Sequence, residues 1–262
     1  MRVLTALETA LGLTGNWPTE LERAARQLQK ANERLRELDA KKDDFLSQVS
    51  HELRTPMTSI RSFSEILGET PDLDSADAQR FIGIIGQESK RLTRLLDEIL
   101  DLSFLESGTV NWTMEPVVLS DAVNRARQTT LTDGEVTLDL DDSLTGETVL
   151  GDFDRIAQVF IKLITNVIRY GNRTAPKITI KTSRHGDMLH VDFHDNGPGI
   201  PPDQSAQIFE KFTRLTSDNL AGSAGLGLPI SREILRNLGG DLTLLPDQGG
   251  TTFRATFQRA NP

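Results

Sequence analysis

The sequence contains no cysteine, which excludes a disulfide framework and thiolate chemistry and fits a reducing cytosol. No stretch approaches the ~20 consecutive apolar residues of a membrane-spanning helix, and no signal-peptide pattern opens the chain. A soluble, cytoplasmic polypeptide is expected, with a membrane met only through upstream sensor segments. A basic excess is also missing. Lys and Arg number 29 against 38 Asp and Glu, a formal charge of −9. Without a local basic patch, nucleic acid is not an expected partner. The apolar residues, 37% of 262, suffice for ordinary cores in one or two domains.

The most informative stretch runs from Phe45 to Pro56. Phe45, Val49, Leu53, Pro56, Ile60, Phe63 and Leu67 recur at steps of three and four, which is helical periodicity with one apolar face. At ~100° per residue, His51 falls nearly opposite the centre of that stripe, with Thr55 on the same outward face and Glu52 adjacent. Pro56 removes the amide that would bond the carbonyl of Glu52, so a kink is expected one turn past the histidine. A lone surface histidine is usually only solvated. A carboxylate and a hydroxyl grouped with it beside a kink argue for a displayed functional group.

Before this helix, residues 1–18 form a short amino-terminal segment. In residues 19–44, Leu21, Leu28 and Leu35 repeat every seven, with Ala24, Ala31 and Leu38 between. This heptad seam favours a coiled-coil dimer over a helix lying on its own domain. Turn residues from Gly68 to Asp77 lead to a second helix carrying Phe81, Ile85, Leu92, Leu95, Ile99 and Leu102, ending near Gly108. Two such helices cannot bury both faces alone, so residues 45–108 are expected to pair as a four-helix bundle in a homodimer.

Past a linker at Glu106–Pro116 the texture changes. Strand-like runs at Glu135–Leu140, Lys177–Ser183, Met188–His194, Asp241–Leu245 and Thr251–Gln258 alternate with helical patterns at Leu119–Thr129, Arg155–Tyr170 and Leu228–Leu238. Residues 109–262 thus read as an α/β sandwich, one mixed sheet covered by helices. Asp195-Asn196-Gly197-Pro198-Gly199-Ile200 follows a predicted strand, so a carboxylate is succeeded by glycines that let the backbone bend close to a ligand. Gly222 to Leu228 supplies a second glycine cluster leading into a helix, where bare amides can face phosphates. Between them, Asp203–Leu220 holds Phe209 and Phe212 and is long enough to act as a lid. Each feature alone is weak. Their order, with Asn166 on a preceding helix, points to nucleotide binding.

These motifs resemble a known family. His51-Glu52-Leu53-Arg54-Thr55-Pro56 resembles the H box of the sensor histidine kinases of two-component systems. Ile161–Tyr170 resembles their N box, and Asp195–Ile200, Phe209–Phe212 and Gly222–Leu228 resemble the G1, F and G2 boxes. The similarity covers roughly Lys42 to Phe257. It implies a helical dimerisation and phosphotransfer domain followed by an ATP-binding domain of the histidine kinase, gyrase and chaperone type. It also implies ATP and Mg²⁺ as cofactors and the receiver domain of a separate response regulator as partner. His51 would be the phospho-acceptor, oriented by Glu52, which takes the proton of the other ring nitrogen. Thr55 matches the position that orients a hydrolytic water during dephosphorylation of the regulator. Asp195 would accept from the adenine amino group, Tyr170 would pack beside the base and Asn166 would ligate Mg²⁺. Gly222, Gly225 and Gly227 would shape the lid around the triphosphate. Gly197, Gly199, Phe212, Leu226 and Leu228 complete the implied nucleotide set.

Two positions depart from the pattern. Lys162 stands where a second asparagine is common, and its ammonium is expected on the side that holds metal and phosphate. Arg169 replaces the usual lysine, keeping the charge but changing its reach. Of the other histidines, His190 and His194 would lie ~13 Å apart along one strand, too far for a shared metal. With His185 at a turn, all three read as structural or solvated, and Asp152 and Asp154 read as helix caps. The leading expectation is a protein histidine kinase that phosphorylates itself on His51 and passes the group to a regulator aspartate. A regulator-binding scaffold or phosphatase with weak kinase activity is the alternative. An ATP-driven clamp of the gyrase type would leave the His51 helix unexplained.

Overall fold

The computed structural model describes residues 17–70, 72–131, 136–172, 174–214, 224–246 and 249–260, without the side chains of 17–21 and 38. Residues 1–16 of the amino-terminal segment, residues 215–220 of the expected lid, Gly222 of the second glycine cluster and the Leu21 and Leu38 side chains of the heptad seam lie outside that description. The chain divides into two compact units, Met1–Glu52 and Leu53–Pro262.

Helix α1 spans Trp17–Glu69, 53 residues. Pro56 lies inside it and is buried, and the helix continues to Glu69. In the first unit the seam residues Leu28 and Leu35 are 66% and 63% exposed. Surface pairs such as Arg26–Glu22 at 3.2 Å contribute only about 0.3–0.5 kcal/mol each. The stability of such a helix therefore rests on whatever covers its leucines. His51 is exposed and Glu52 is half-buried.

In the second unit, Leu53–Glu69 of α1 and helix α2 (Ser75–Ser107) form a hairpin. The Phe63 and Phe81 rings meet across it at 5.1 Å. Thr55 is exposed. Helix α2 stops at Gly108, whose φ of 67° is costly for any residue with a Cβ and whose N–H donates to the Leu105 carbonyl at 3.3 Å. Of the expected stripe, Leu95 and Leu102 are fully buried along with Leu105, while Ile82, Leu96, Leu100 and Phe104 on another flank are exposed.

The remainder is a two-layer α/β sandwich. Strands β1 (Glu115–Val118), β2 (Thr137–Leu140), β3 (Thr148–Gly151), β4 (Lys177–His185), β5 (Met188–Asp195), β6 (Asp241–Leu244) and β7 (Thr251–Gln258) alternate with helices α3 (Leu119–Thr130), α4 (Phe153–Tyr170) and α5 (Gly227–Asn237). The main sheet has the order β2-β4-β5-β7-β6, with β2 and β4 parallel and the other pairs antiparallel. Strands β1 and β3 form a separate antiparallel pair that the hydrophobic pattern did not indicate. Each is only four residues long, one carries Pro116 and the other ends in Gly151. Two alternations are too few to stand out.

Strand alternation sets the core. Leu189, Val191 and Phe193 of β5 face the helices, and Phe160 of α4 meets Phe193 at 5.2 Å and Phe257 of β7 at 6.1 Å. Phe160 is fully buried; truncating such a side chain to alanine costs about 3–5 kcal/mol. The other sheet face is polar, and Arg254 donates to both oxygens of Asp192 at 2.7 Å. His194 Nδ1 lies 2.9 Å from the Thr252 hydroxyl, and His185 stacks on His190 at 4.9 Å. His185 is exposed at the end of β4, and the stacking is a contact that its expected turn position does not suggest.

Candidate functional site

The same alternation that buries Leu189, Val191 and Phe193 carries Asp195, at the end of β5, to the core face. Asp195 is 7% exposed. Its Oδ1 accepts from the Gly197 N–H at 2.7 Å, a close approach that leaves no room at residue 197 for a Cβ, which would sit 2.6 Å from that oxygen. Burial pushes the Asp195 carboxyl above its ordinary value, opposed by hydrogen bonds from Gly197 and Thr251 and by His194. A carboxylate kept at the floor of a cleft under these opposed influences is poised to accept one further donor.

That donor would come from a cavity of about 830 Å³. Asn166, Arg169 and Tyr170 from the last turns of α4 line one wall. Asp195 and the turn Asn196–Pro201 form the base, Gly225, Gly227 and Leu228 the far side, and Thr251 and Phe253 come from β7. Sequence reasoning missed Thr251, Phe253, Gln204, Ile208, Thr213 and Arg214. Only the cross-strand register Asp195↔Thr251 brings the first of these there. Phe212 and Leu226, which the resemblance assigns to the nucleotide, are not among the residues lining the cavity. Leu226 is fully buried beneath the start of α5. Phe212 adopts φ 61° and its N–H donates to the Gly225 carbonyl at 3.1 Å. Gly225, at φ +71°, lies so close that a Cβ would meet the backbone of Phe212 and Thr213 at 2.7 Å. Phe209 anchors the segment from the other side, against Phe253 and beneath the Arg232 guanidinium.

Lys162 is not where the sequence places it. Its Nζ donates to Glu98 Oε1 of α2 at 3.0 Å, the lysine side chain is 13% exposed, and it does not line the cavity. The face of α4 that carries Asn166 and Arg169 continues through Lys162, Gln158 and Arg155, and that face meets α2. Gln158 donates to Asp101 Oδ2 at 2.6 Å, Arg155 pairs with Asp101 Oδ1, and Lys211 pairs with Glu106 at 2.8 Å. A long flexible stem delivers its charge to the nearest carboxylate, and here that is Glu98. Asp152 caps α4 as expected, accepting from the Arg155 N–H at 3.2 Å.

A divalent cation carried in by a triphosphate fits this cavity. Among the described residues no cluster of three His, Cys, Asp or Glu could cage a metal alone. A magnesium ion held mostly by phosphate oxygens and water needs few protein ligands, and the Asn166 carboxamide lines the cavity on the side facing Gly227.

The histidine kinase-, DNA gyrase B- and HSP90-like ATPase family matches residues 151–261, and the His Kinase A phospho-acceptor domain matches residues 41–108. The chain belongs to the sensor histidine kinases. An uncharacterized sensor-like histidine kinase, ycf26 of Porphyra purpurea, is 34% identical over 83% of this chain and 36% of its own length. Sensor protein KdpD of Escherichia coli is 36% identical over 81% of this chain and 24% of its own. Sensor protein ChvG of Agrobacterium fabrum is 34% identical over 84% and 39%. The chain thus spans well under half of each of these sensors. Among solved structures, Acinetobacter baumannii histidine kinase AdeS shares the fold at TM-score 0.62 and 24% identity, over 80% of this chain and 98% of that one. Histidine kinase ThkA, solved with response regulator protein TrrA, does so at TM-score 0.65 and 24% identity, over 86% and 64%. The family's expected architecture, a helical phospho-acceptor region followed by an α/β ATPase domain, is the one found. No described helix is long and apolar enough to cross a membrane.

Proposed function

We propose that the chain is the cytoplasmic kinase core of a two-component sensor. It binds ATP in the Asp195 cavity, phosphorylates itself on His51 and passes the phosphoryl group to an aspartate of a separate response regulator. The observation that carries this reading is the cavity itself: one buried carboxylate at its base, a wall of Asn166, Arg169 and Tyr170, and glycines on the far side, in a chain that also displays His51 within a phospho-acceptor domain. Asp195 accepts from the adenine amino group, Tyr170 flanks the base, and Arg169 faces the phosphates. Asn166 would hold Mg²⁺, which when bound supplies charge neutralisation between phosphate oxygens. One ring nitrogen of His51 forms a bond to the γ-phosphorus as the bond to the β,γ-bridging oxygen breaks and ADP leaves. Glu52 holds the proton of the other ring nitrogen. Residues 45–108 serve as the dimerisation and phosphotransfer domain, residues 19–44 as the signalling coiled coil and residues 109–262 as the catalytic domain.

A homodimer is proposed because Ile82, Leu96, Leu100 and Phe104 are exposed on α2. A response regulator is proposed as partner because ThkA, a relative in fold, was solved with one. The reading as a scaffold with weak kinase activity leaned on Lys162 obstructing the metal side, and its pairing with Glu98 removes that support. Incubation with terminally labelled ATP tests the proposal. The parent and Thr55→Ala should take up label, Thr55→Ala should dephosphorylate the regulator poorly, and His51→Ala should take up none.

A further inference from the structure

The pairs between α2 and α4 run in opposite sequence directions. Asp101 meets Arg155 and Gln158, and one turn back along α2 Glu98 meets Lys162, one turn forward along α4. A further turn in the same sense sets Arg94 opposite Asn166 and Arg169, both of which line the cavity. Arg94 is exposed, so its guanidinium is free to turn toward that wall. We infer that Arg94, supplied by the hairpin helix, completes the phosphate side of the nucleotide cavity while the catalytic domain is clasped to α2. The inference rests on the proposed nucleotide function and adds a binding group from outside the ATPase domain.

The charges support it. Burial first, and then Arg94, hold the Arg169 guanidinium below its ordinary value, opposed by Tyr170 and Glu98. Two guanidiniums facing one another repel, and Glu98 is already committed to Lys162. A polyphosphate between them turns that repulsion into two charge-assisted contacts. The Glu98–Lys162 and Asp101–Arg155–Gln158 pairs then act as the clasp that keeps Arg94 in register, so phosphate affinity and docking are linked.

Calorimetry on the full chain, with magnesium at low salt, tests this using the non-hydrolysable imido analogue of ATP and adenosine as probes. Arg94→Ala should weaken the analogue about tenfold, the effect of one partly solvated charge-assisted hydrogen bond, and leave adenosine unchanged. Arg94→Lys should recover part of the loss. The undocked pair Glu98→Lys with Asp101→Lys should lose a similar factor, and adding Arg94→Ala to it should cost nothing more. Unchanged affinity for the analogue in Arg94→Ala, an equal loss for adenosine, or a full further loss in the undocked background overturns the inference. A parent that binds neither probe overturns the nucleotide reading beneath it.

Discussion

Replacing Asp195 with Asn exchanges one acceptor oxygen for an NH₂ donor without changing shape. In the parent, Oδ1 accepts the Gly197 N–H at 2.7 Å and the carboxylate also accepts from the Thr251 backbone and hydroxyl. At 7% exposure its partners are the surrounding protein groups and whatever enters the cavity. If the adenine amino group donates to this carboxylate, the amide must turn a donor toward either Thr251 or the base. A hydrogen bond to a charged group is worth about 1.5–3 kcal/mol, so the analogue should bind roughly 10–100-fold more weakly. The pH dependence gives a second signature. Burial raises the Asp195 carboxyl, whereas a bound donor favours its ionised form. Nucleotide affinity in the parent should therefore fall as pH drops through that raised value, with proton release on binding. In the free chain a raised carboxyl stabilises the fold below its unfolded value, and that contribution is lost as pH rises through the folded one. Asp195→Asn should show neither dependence. Calorimetric titrations of both proteins across the acid range decide the matter: an Asn variant with parental affinity, or with the parental pH profile, refutes the adenine assignment.

Gly225→Ala should cost more in nucleotide binding than in overall stability, because its Cβ meets fixed backbone at 2.7 Å and forces φ +71° on alanine beside the cavity; paired melting and binding curves measure the two effects. Lys162→Asn should not rescue metal binding. It should instead lower stability by about 1–2 kcal/mol, less than for a wholly buried pair because Glu98 keeps 31% exposure; denaturant titration checks this, and a gain in Mg²⁺ affinity would contradict the assignment of Lys162 to Glu98. Leu100→Lys with Phe104→Lys should yield a monomer by light scattering if the exposed α2 flank is the dimer face.

Much of the scaffold was legible because its periodicities are long. The whole of β7 and nearly all of α4 were bounded from the pattern, and Gly108 marked the end of α2. Asp195 was legible from its place between a strand-like run and a glycine-rich turn, whereas its inward direction came only with the strand extending through it. The β1–β3 pair was not, being too short for a period to emerge. Thr251 and Phe253 were missed because their place depends on register between strands far apart in sequence. Lys162 was misplaced for a related reason. Helical spacing gives the face on which it lies but not the carboxylate of another helix that draws its side chain there. The positive φ of Phe212 and its backbone bond to Gly225 were not legible either, because a motif names residue types and not the backbone that holds them.

The most direct test of the central claim is the site of phosphorylation itself. The parent should be incubated with ATP and magnesium, digested at neutral pH and mapped by mass spectrometry under conditions that preserve phosphohistidine. An acid-labile, base-stable phosphate on the peptide holding His51, absent from His51→Ala, is the predicted result. Label on any other residue, or label that persists in His51→Ala, would contradict it.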